Sequence, residues 1–351
     1  MKPQHTLIRA VIATLAAAVL TTGCEKEEKS QPNSGEKLTF DSWIHVNYPD
    51  APSTTLGSRI LDETAGTGSL YDESCSFVLA EYTITDLDGT ISAYTNKETA
   101  QQLGLYNKSY YYGPKVIVVS EGATYAGLRD AIKGMRIGGT RKVAIPSWLL
   151  TYDTYDTAEE YLKHSTSNTS SIYTITLVDQ TDDILKYQVR KWLEPYVHEH
   201  MHGVDSTYYG GDEEGYKYGF YIDKIVEHAD ADEIPADSTF YINYTGRLLN
   251  GQVFDTTIED TAKVYNIYSP SKTYAPVSVT KASSYDKTTM GTSSSTVITG
   301  FGSALHLMKP YEKAVTAFTS SLGYGYRGSG SAIPGYMPLC FEIELVDKPE
   351  E

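Results

Sequence analysis

The chain carries one pattern twice, in stretches far apart. Tyr82-Thr83-Ile84 followed by Leu87-Asp88-Gly89-Thr90-Ile91 is answered by Tyr244-Thr245-Gly246 followed by Leu249-Asn250-Gly251-Gln252-Val253-Phe254. Each copy closes on a matching strand, Ile172-Tyr173-Thr174-Ile175-Thr176-Leu177-Val178-Asp179 in the first and Cys340-Phe341-Glu342-Ile343-Glu344-Leu345-Val346-Asp347 in the second. The alternation of apolar and polar side chains puts one face of each strand against a core. The spacing is far longer than that of stacked-repeat families, so two homologous units are expected rather than a solenoid. With 351 residues, each unit can bury its own core.

The first copy is expected over residues 39–180. Its strands are predicted near 58–62, 75–84, 90–94, 115–119 and 141–145, with a helix over 125–135 whose Leu128, Ile132 and Met135 share one face. Asp88-Gly89 between apolar flanks predicts a hairpin with a type I′ turn. Residues 153–171 read as a polar loop with one helical turn. A linker over 181–210 holds a predicted helix from Thr181 to His202, and the glycines at 210–215 mark a hinge. The second copy is expected over 211–351. Its strands are predicted near 217–227, 239–248, 253–256, 314–318 and 339–346, with a helix over 302–308 and a Ser/Thr/Lys-rich surface loop over 268–295.

The N-terminus reads as an address. Lys2 and Arg9 precede an apolar run from Ala10 to Leu20, and Leu20-Thr21-Thr22-Gly23-Cys24 follows, which resembles a bacterial lipobox. That resemblance implies a signal peptide over 1–23, lipidation of Cys24, a soluble tether over 24–38, and a lipoprotein of the cell envelope, expected at the outer membrane and facing either the periplasm or the exterior. Loss of the signal peptide removes two positive charges and takes the net charge from −16 to −18. Such an excess of acid opposes a phosphate backbone, so no nucleic-acid partner is expected. Thirty tyrosines against eight phenylalanines suit strand faces and peptide-contacting surfaces. Cys75 and Cys340 fall in different copies and are expected as buried free thiols.

Six strings of the second copy occur in the order found in the FKBP-type peptidyl-prolyl cis-trans isomerases. They are Tyr244-Thr245-Gly246-Arg247-Leu248-Leu249-Asn250-Gly251 with Phe254-Asp255; Val297-Ile298-Thr299-Gly300-Phe301; Met308-Lys309-Pro310; Leu322-Gly323-Tyr324-Gly325; Ile333-Pro334; and Pro338-Leu339-Cys340-Phe341-Glu342. The second copy thus resembles this family over essentially its whole length. The resemblance implies an α+β fold, two FKBP-like domains each made of a curved antiparallel sheet wrapped around a short helix. It also implies a site in which Tyr244, Phe254, Val297, Ile298, Phe301, Ile333 and Phe341 line an apolar cradle. Asp255 and the Tyr324 hydroxyl would supply polar contacts, and the Ile298 N–H would hold the substrate chain. Departures fall at Phe301, where the family usually has an indole, at Ser329, where a histidine is common, and at Ala332, where a bulkier aliphatic is usual.

The activity so implied is isomerisation of Xaa-Pro bonds in exported, proline-containing polypeptides, with no cofactor and no metal. The alternatives are a non-catalytic chaperone or peptide-binding lipoprotein, and a surface adhesin or complex subunit. The first copy departs further: Ile84 replaces Gly246, Ile91-Ser92 are expected at the Phe254-Asp255 position, and Thr151 stands where Tyr324 does. It is expected to be catalytically silent. His198-Glu199-His200-Met201-His202 fits the H-E-x-x-H zinc pattern, but Gly203 ends the helix at once, and the histidines read as a polar helix end suited to the dipole.

Overall fold

The computed structural model describes residues 32–164, 167–204, 219–292 and 295–350. Two antiparallel sheets are built on one plan. The first comprises β1 (Arg59–Thr64), β2 (Phe77–Asp86), β3 (Ile91–Tyr94), β4 (Lys115–Val118), β5 (Thr140–Ile145) and β6 (Ser171–Thr181), in the order β1-β5-β6-β2-β3 with β4 also on β2. The second comprises β7 (Phe220–Val226), β8 (Thr239–Leu248), β9 (Val253–Thr256), β10 (Val277–Thr280), β11 (Thr289–Met290), β12 (Ser295–Thr296), β13 (Lys313–Phe318) and β14 (Leu339–Val346). Its order is β12-β11-β10-β8-β14-β13-β7, with β9 also on β8. Strand by strand, β7, β13, β14, β8, β9 and β10 repeat the pairings of β1, β5, β6, β2, β3 and β4. The shared plan extends to detail. The Tyr82 N–H donates to Thr95 Oγ1 at 2.9 Å, and the Tyr244 N–H donates to Thr257 Oγ1 at the same distance.

A short helix lies against each sheet, α3 (Ala126–Ile132) in the first repeat and α8 (Thr299–Leu307) in the second. The second begins three residues before its expected start, since Ile298 already caps it with extended backbone. Leu128, Ala131, Ile132 and Met135 join Val143, Ile145, Ile175 and Leu177 in one core; Phe301, Ala304, Leu305 and Met308 join Ile242, Phe318, Phe341 and Ile343 in the other. The chain leaving α8 is pinned by the buried Glu312 carboxylate, which accepts from the N–H groups of Lys309 (2.8 Å) and His228 (3.1 Å) and pairs with Lys224 at 3.0 Å.

Four expectations are corrected. A helix, α1 (Ser34–Asn47), begins inside the segment assigned to the tether over 24–38, because Phe40 and Ile44, one turn apart, bury into the first core and Phe40 meets the Trp148 ring edge-on at 5.8 Å. The hairpin turns are not type I′. Gly89 and Gly251 have φ of +93° and +84°, but Asp88 and Asn250 are not left-handed. Gly89 N–H donates to Asp86 O, Asp86 N–H to Thr90 O, and the Asp88 carboxylate accepts from Thr90 N–H; this is a three-residue loop with a type I turn and a glycine bulge, held by the acidic side chain. The 268–295 insertion is not a bare surface loop, since it adds β10, β11 and β12 and sends Val277, Val279 and Met290 to the second core. Cys75 precedes β2 and is only half-buried, whereas Cys340 is buried within β14; both are free thiols.

The connector runs as α5 (Ile184–Tyr187), a π turn (Gln188–Leu193) and α6 (Glu194–His200). It covers the outer face of the second sheet: Val189, Leu193, Val197 and Met201 pack on Tyr221, Ala317 and Cys340 as a third core. Buried Gln188 locks the contact, donating to Ser320 Oγ at 2.9 Å and accepting from the Ser320 N–H at 2.8 Å. His200 stacks on Tyr196 (4.4 Å between rings), and the His202 backbone N–H donates to Asp223 Oδ2 at 2.8 Å just past the helix end. No group of three or more metal-ligating side chains assembles among the described residues. The segment 1–31, with Cys24, and the hinge glycines lie outside the described residues, among which no helix is long and apolar enough to cross a membrane.

Candidate functional site

A cavity of about 390 Å³ opens between α8, the concave face of the second sheet and the chain after β13. All nine residues singled out from the sequence border it: Tyr244, Phe254, Asp255, Val297, Ile298, Phe301, Tyr324, Ile333 and Phe341. Strand alternation turns Tyr244 from β8 and Phe341 from β14 inward. A bulge aims Phe254: the register passes from Gly246 opposite Asp255 to Arg247 opposite Val253, leaving Phe254 as the extra residue.

The walls are aromatic, and three of their ring pairs meet edge to face. Phe301 meets Phe341 at 4.9 Å and 69°, Phe254 meets Phe341 at 5.6 Å and 82°, and Tyr244 meets Phe301 at 5.5 Å and 75°. Such edge-to-face contacts fix ring orientation beyond what burial alone would do. Gly246 makes the arrangement possible: a Cβ there would stand 2.5 Å from the Phe254 ring.

The polar groups sit at the rim. The Tyr244 hydroxyl donates to Asp255 Oδ2 at 2.6 Å, and the Lys272 ammonium pairs with Asp255 Oδ1 and donates to the Thr256 carbonyl at 2.9 Å. Burial first, then the Asp255 charge, pushes the Tyr244 phenol well above its ordinary value, so it stays a donor. The Tyr324 phenol is raised by the same two causes, and its hydroxyl has no hydrogen-bond partner among the described residues. The cavity therefore offers an apolar floor, a committed carboxylate and, in Tyr324, a hydroxyl without a partner among the described residues. Lys272, Met290, Ser295 and Thr296 were not singled out from the sequence. They come from the Ser/Thr/Lys-rich insertion and the residue that follows it, where short strands carry no strong periodicity; the Val277-Ser278-Val279 alternation was the available signal.

The first repeat has a smaller cavity, about 200 Å³, at the corresponding place. Tyr82, Tyr173 and Leu128 stand where Tyr244, Phe341 and Phe301 stand in the second. The expectation for its β3 strand is off by one residue. Ile84 pairs with Ala93 and Thr85 with Ile91, so Ser92 occupies the bulge of Phe254 and Ala93 the place of Asp255. The two hairpin loops have equal length, and aligning Asp88-Gly89 on Asn250-Gly251 gives this register directly. Ile84 then fills the space that Gly246 leaves to the Phe254 ring. Tyr152, one residue beyond Thr151, lines this cavity and lies 4.6 Å from Tyr125, ring to ring. No carboxylate borders it.

Comparison with known proteins adds an independent finding. Residues 231–346 match the family described as FKBP-type peptidyl-prolyl cis-trans isomerase. A probable FKBP-type peptidyl-prolyl cis-trans isomerase of Haemophilus influenzae is 29% identical over 124 residues, 35% of this chain and 41% of the relative. FK506-binding protein 1A of Aspergillus fumigatus is 32% identical over 105 residues, 30% of this chain and 72% of the relative. The macrophage infectivity potentiator of Trypanosoma cruzi is 30% identical over 110 residues, 31% of this chain and 43% of the relative. The chain thus spans less than half the length of the Haemophilus and Trypanosoma relatives.

Proposed function

The chain belongs to the FKBP-type peptidyl-prolyl cis-trans isomerase family, and we propose that its second repeat, within 211–351, isomerises Xaa-Pro bonds of exported polypeptides and so assists folding in the cell envelope. The observation that carries this reading is the aromatic cradle with its rim carboxylate, Asp255, already paired. Rotation about an Xaa-Pro bond faces a barrier of about 18–20 kcal/mol, because the amide loses resonance when twisted. The twisted amide is less charge-separated than the planar one. An apolar floor of Phe254, Phe301 and Phe341 therefore favours it over a planar, water-solvated carbonyl. Val297 and Ile333 grip the prolyl ring from the sides. The Tyr324 hydroxyl and the Ile298 N–H hold carbonyls of the flanking chain, so that only the prolyl bond turns. Asp255, tied to Tyr244 and Lys272, fixes the rim and accepts no proton in this scheme. No cofactor takes part.

The first repeat, within 39–180, is read as catalytically silent: Ser92, Ala93 and Leu128 remove the ring, the carboxylate and the aromatic floor together. Cys24 is proposed as the lipid anchor at the outer membrane, on the strength of the Leu20–Cys24 sequence, with residues after it as the tether and 181–210 as the connector. Labelled palmitate should enter the full chain and not a Cys24→Ser variant; equal labelling would overturn the anchor.

Isomerisation is tested on the full chain with a protease-coupled prolyl peptide assay. Phe254→Ala and Asp255→Ala should each lower kcat/KM at least tenfold, and the pair together should leave only the spontaneous rate. Catalysis persisting in the double variant would place activity in the first repeat and refute the reading. A non-catalytic peptide-binding role is the second reading, favoured by Phe301, whose ring gives a smaller floor than an indole and no N–H. It would hold if the chain suppressed aggregation of an unfolded client undiminished while showing no turnover.

A further inference from the structure

A segment of the first repeat hydrogen-bonds to residues that adjoin two walls of the second repeat's cavity. Residues 107–113, between α2 (Lys97–Gln102) and β4, are braced internally: the Asn107 N–H donates to the Tyr112 hydroxyl at 3.0 Å, and Asn107 Oδ1 accepts from Ser109 Oγ at 2.7 Å. From this brace the Tyr111 N–H donates to the Ser331 carbonyl at 2.9 Å, and the Tyr111 ring packs against the second core. Two residues earlier, the Ser109 carbonyl accepts from Gln252 Nε2 at 3.0 Å.

The two points of contact are not equivalent surface. Ser331 adjoins Ala332 and Ile333, which line the cavity on one side. Gln252 lies in the β8–β9 hairpin two residues before Phe254, which lines it on the other. The lip over residues 325–336 is otherwise held mainly by itself, through the reciprocal Ser329 and Ile333 backbone bonds (2.7 and 3.2 Å) and the Tyr336 N–H to Gly325 carbonyl (2.8 Å). The first repeat supplies a further contact at its far end, where Phe77 meets Tyr336 edge-on at 5.5 Å. A lip of small residues, Gly328, Ser329, Gly330, Ser331 and Ala332, has high conformational entropy when free, and fixing it before the substrate arrives reduces what binding must order.

We propose that the silent repeat acts as a strap that presets the mouth of the catalytic pocket, with Tyr111 as the positioning residue. The proposal rests on the reading of the second cavity as the isomerase site, and it assigns the first repeat a role in substrate binding that its own pocket does not provide. Tyr111 touches no substrate; it acts through Ser331 on Ala332 and Ile333, so its loss is expected mainly in KM.

The test uses the full chain. Tyr111→Ala should raise KM for a prolyl peptide about fivefold while kcat changes less than twofold, and Tyr111→Phe, which keeps the ring, should restore the wild-type KM. Gln252→Ala, a milder change outside the ring contact, should raise KM about twofold and serves where Tyr111→Ala does not fold. Amide hydrogen exchange is read in parallel: the Ser329 and Ile333 N–H groups should exchange at least tenfold faster in Tyr111→Ala, while those of β13 and β14 do not change. That readout stands even if the wild-type chain proves inactive, which would sink the isomerase reading alone. Unchanged exchange at Ser329 and Ile333 in a folded variant, or faster exchange with no change in KM in an active enzyme, would overturn the strap.

Discussion

Replacing Gly246 with alanine tests the pocket with one carbon atom. The added Cβ would stand 2.5 and 2.6 Å from Cε2 and Cζ of Phe254 and 2.8 Å from Cε1 of Phe341, where ordinary contacts begin near 3.4 Å. One or both rings must therefore move by about 1 Å. Phe341 is held edge-on by Phe301 and face-on by Phe318, whereas Phe254 is half-buried on a bulged strand, so Phe254 should give way. Overpacking of this size costs about 1–3 kcal/mol of stability. Displacing a wall of the binding site by about 1 Å is expected to lower kcat/KM by about 10²-fold. Urea unfolding and the prolyl peptide assay read the two effects separately. In a Phe254→Ser background the two closest approaches are gone and only the 2.8 Å approach to Phe341 remains, so the same alanine should cost less than it does in the wild-type chain, as expected for coupled neighbours. A Gly246→Ala chain with kcat/KM within twofold of wild type, or an equal stability cost in both backgrounds, would refute the account of how the ring is seated.

Three further outcomes follow from groups away from the cradle. Burial raises the Glu312 carboxyl, but the Lys309 N–H, Lys224 and the His228 N–H outweigh it and hold it below its ordinary value; its contribution is present above about pH 4.5 and lost as pH falls through the lower folded value. Glu312→Ala, which strands those donors, should cost about 3–5 kcal/mol by urea unfolding at pH 7 and much less near pH 3. The His306 imidazole, which shares a hydrogen bond with Thr288 Oγ1 at 2.9 Å, is held below its usual value by burial and then by the Lys281 charge; folding keeps it neutral, so stability should decline as pH falls below about 6.5, and His306→Gln should flatten that slope in melts between pH 7.5 and 5.5. The Cys340 thiol, pushed up to about 11 by burial despite the Tyr196 hydroxyl at 3.3 Å, should resist iodoacetamide at pH 8 until the protein is unfolded, as mass spectrometry of the labelled chain would reveal.

The duplicated plan and the nine residues that come to line one cavity were legible for different reasons: alternation marks the strands, and the strings that resemble the FKBP-type family mark the lining. What escaped was set by tertiary context. Asp88 and Asn250 precede glycine in either turn type, and only the acceptor role of their side chains distinguishes the bulged loop from a type I′ turn. Helix α1 shows just Phe40, Trp43 and Ile44 on its buried side, too few to stand out beside the charged run before it. The strands β11 and β12 are two residues each, shorter than any periodicity can register. The one-residue slip over Ser92 and Ala93 is settled by the hairpin glycines, which fix the register whatever the character of the side chains that follow.

The connector helix bears on where the catalytic unit can be cut. With Gln188 locked to Ser320 and four apolar side chains on Tyr221, Ala317 and Cys340, the sheet that forms the cradle has an apolar back as well as an apolar front. A fragment starting at residue 211 would bare that back and should self-associate, which lowers its measured activity for reasons unrelated to the pocket. A fragment starting before Ile184 keeps its cover. The connector thus belongs physically to the half it precedes, and the seam between the two halves lies on its N-terminal side.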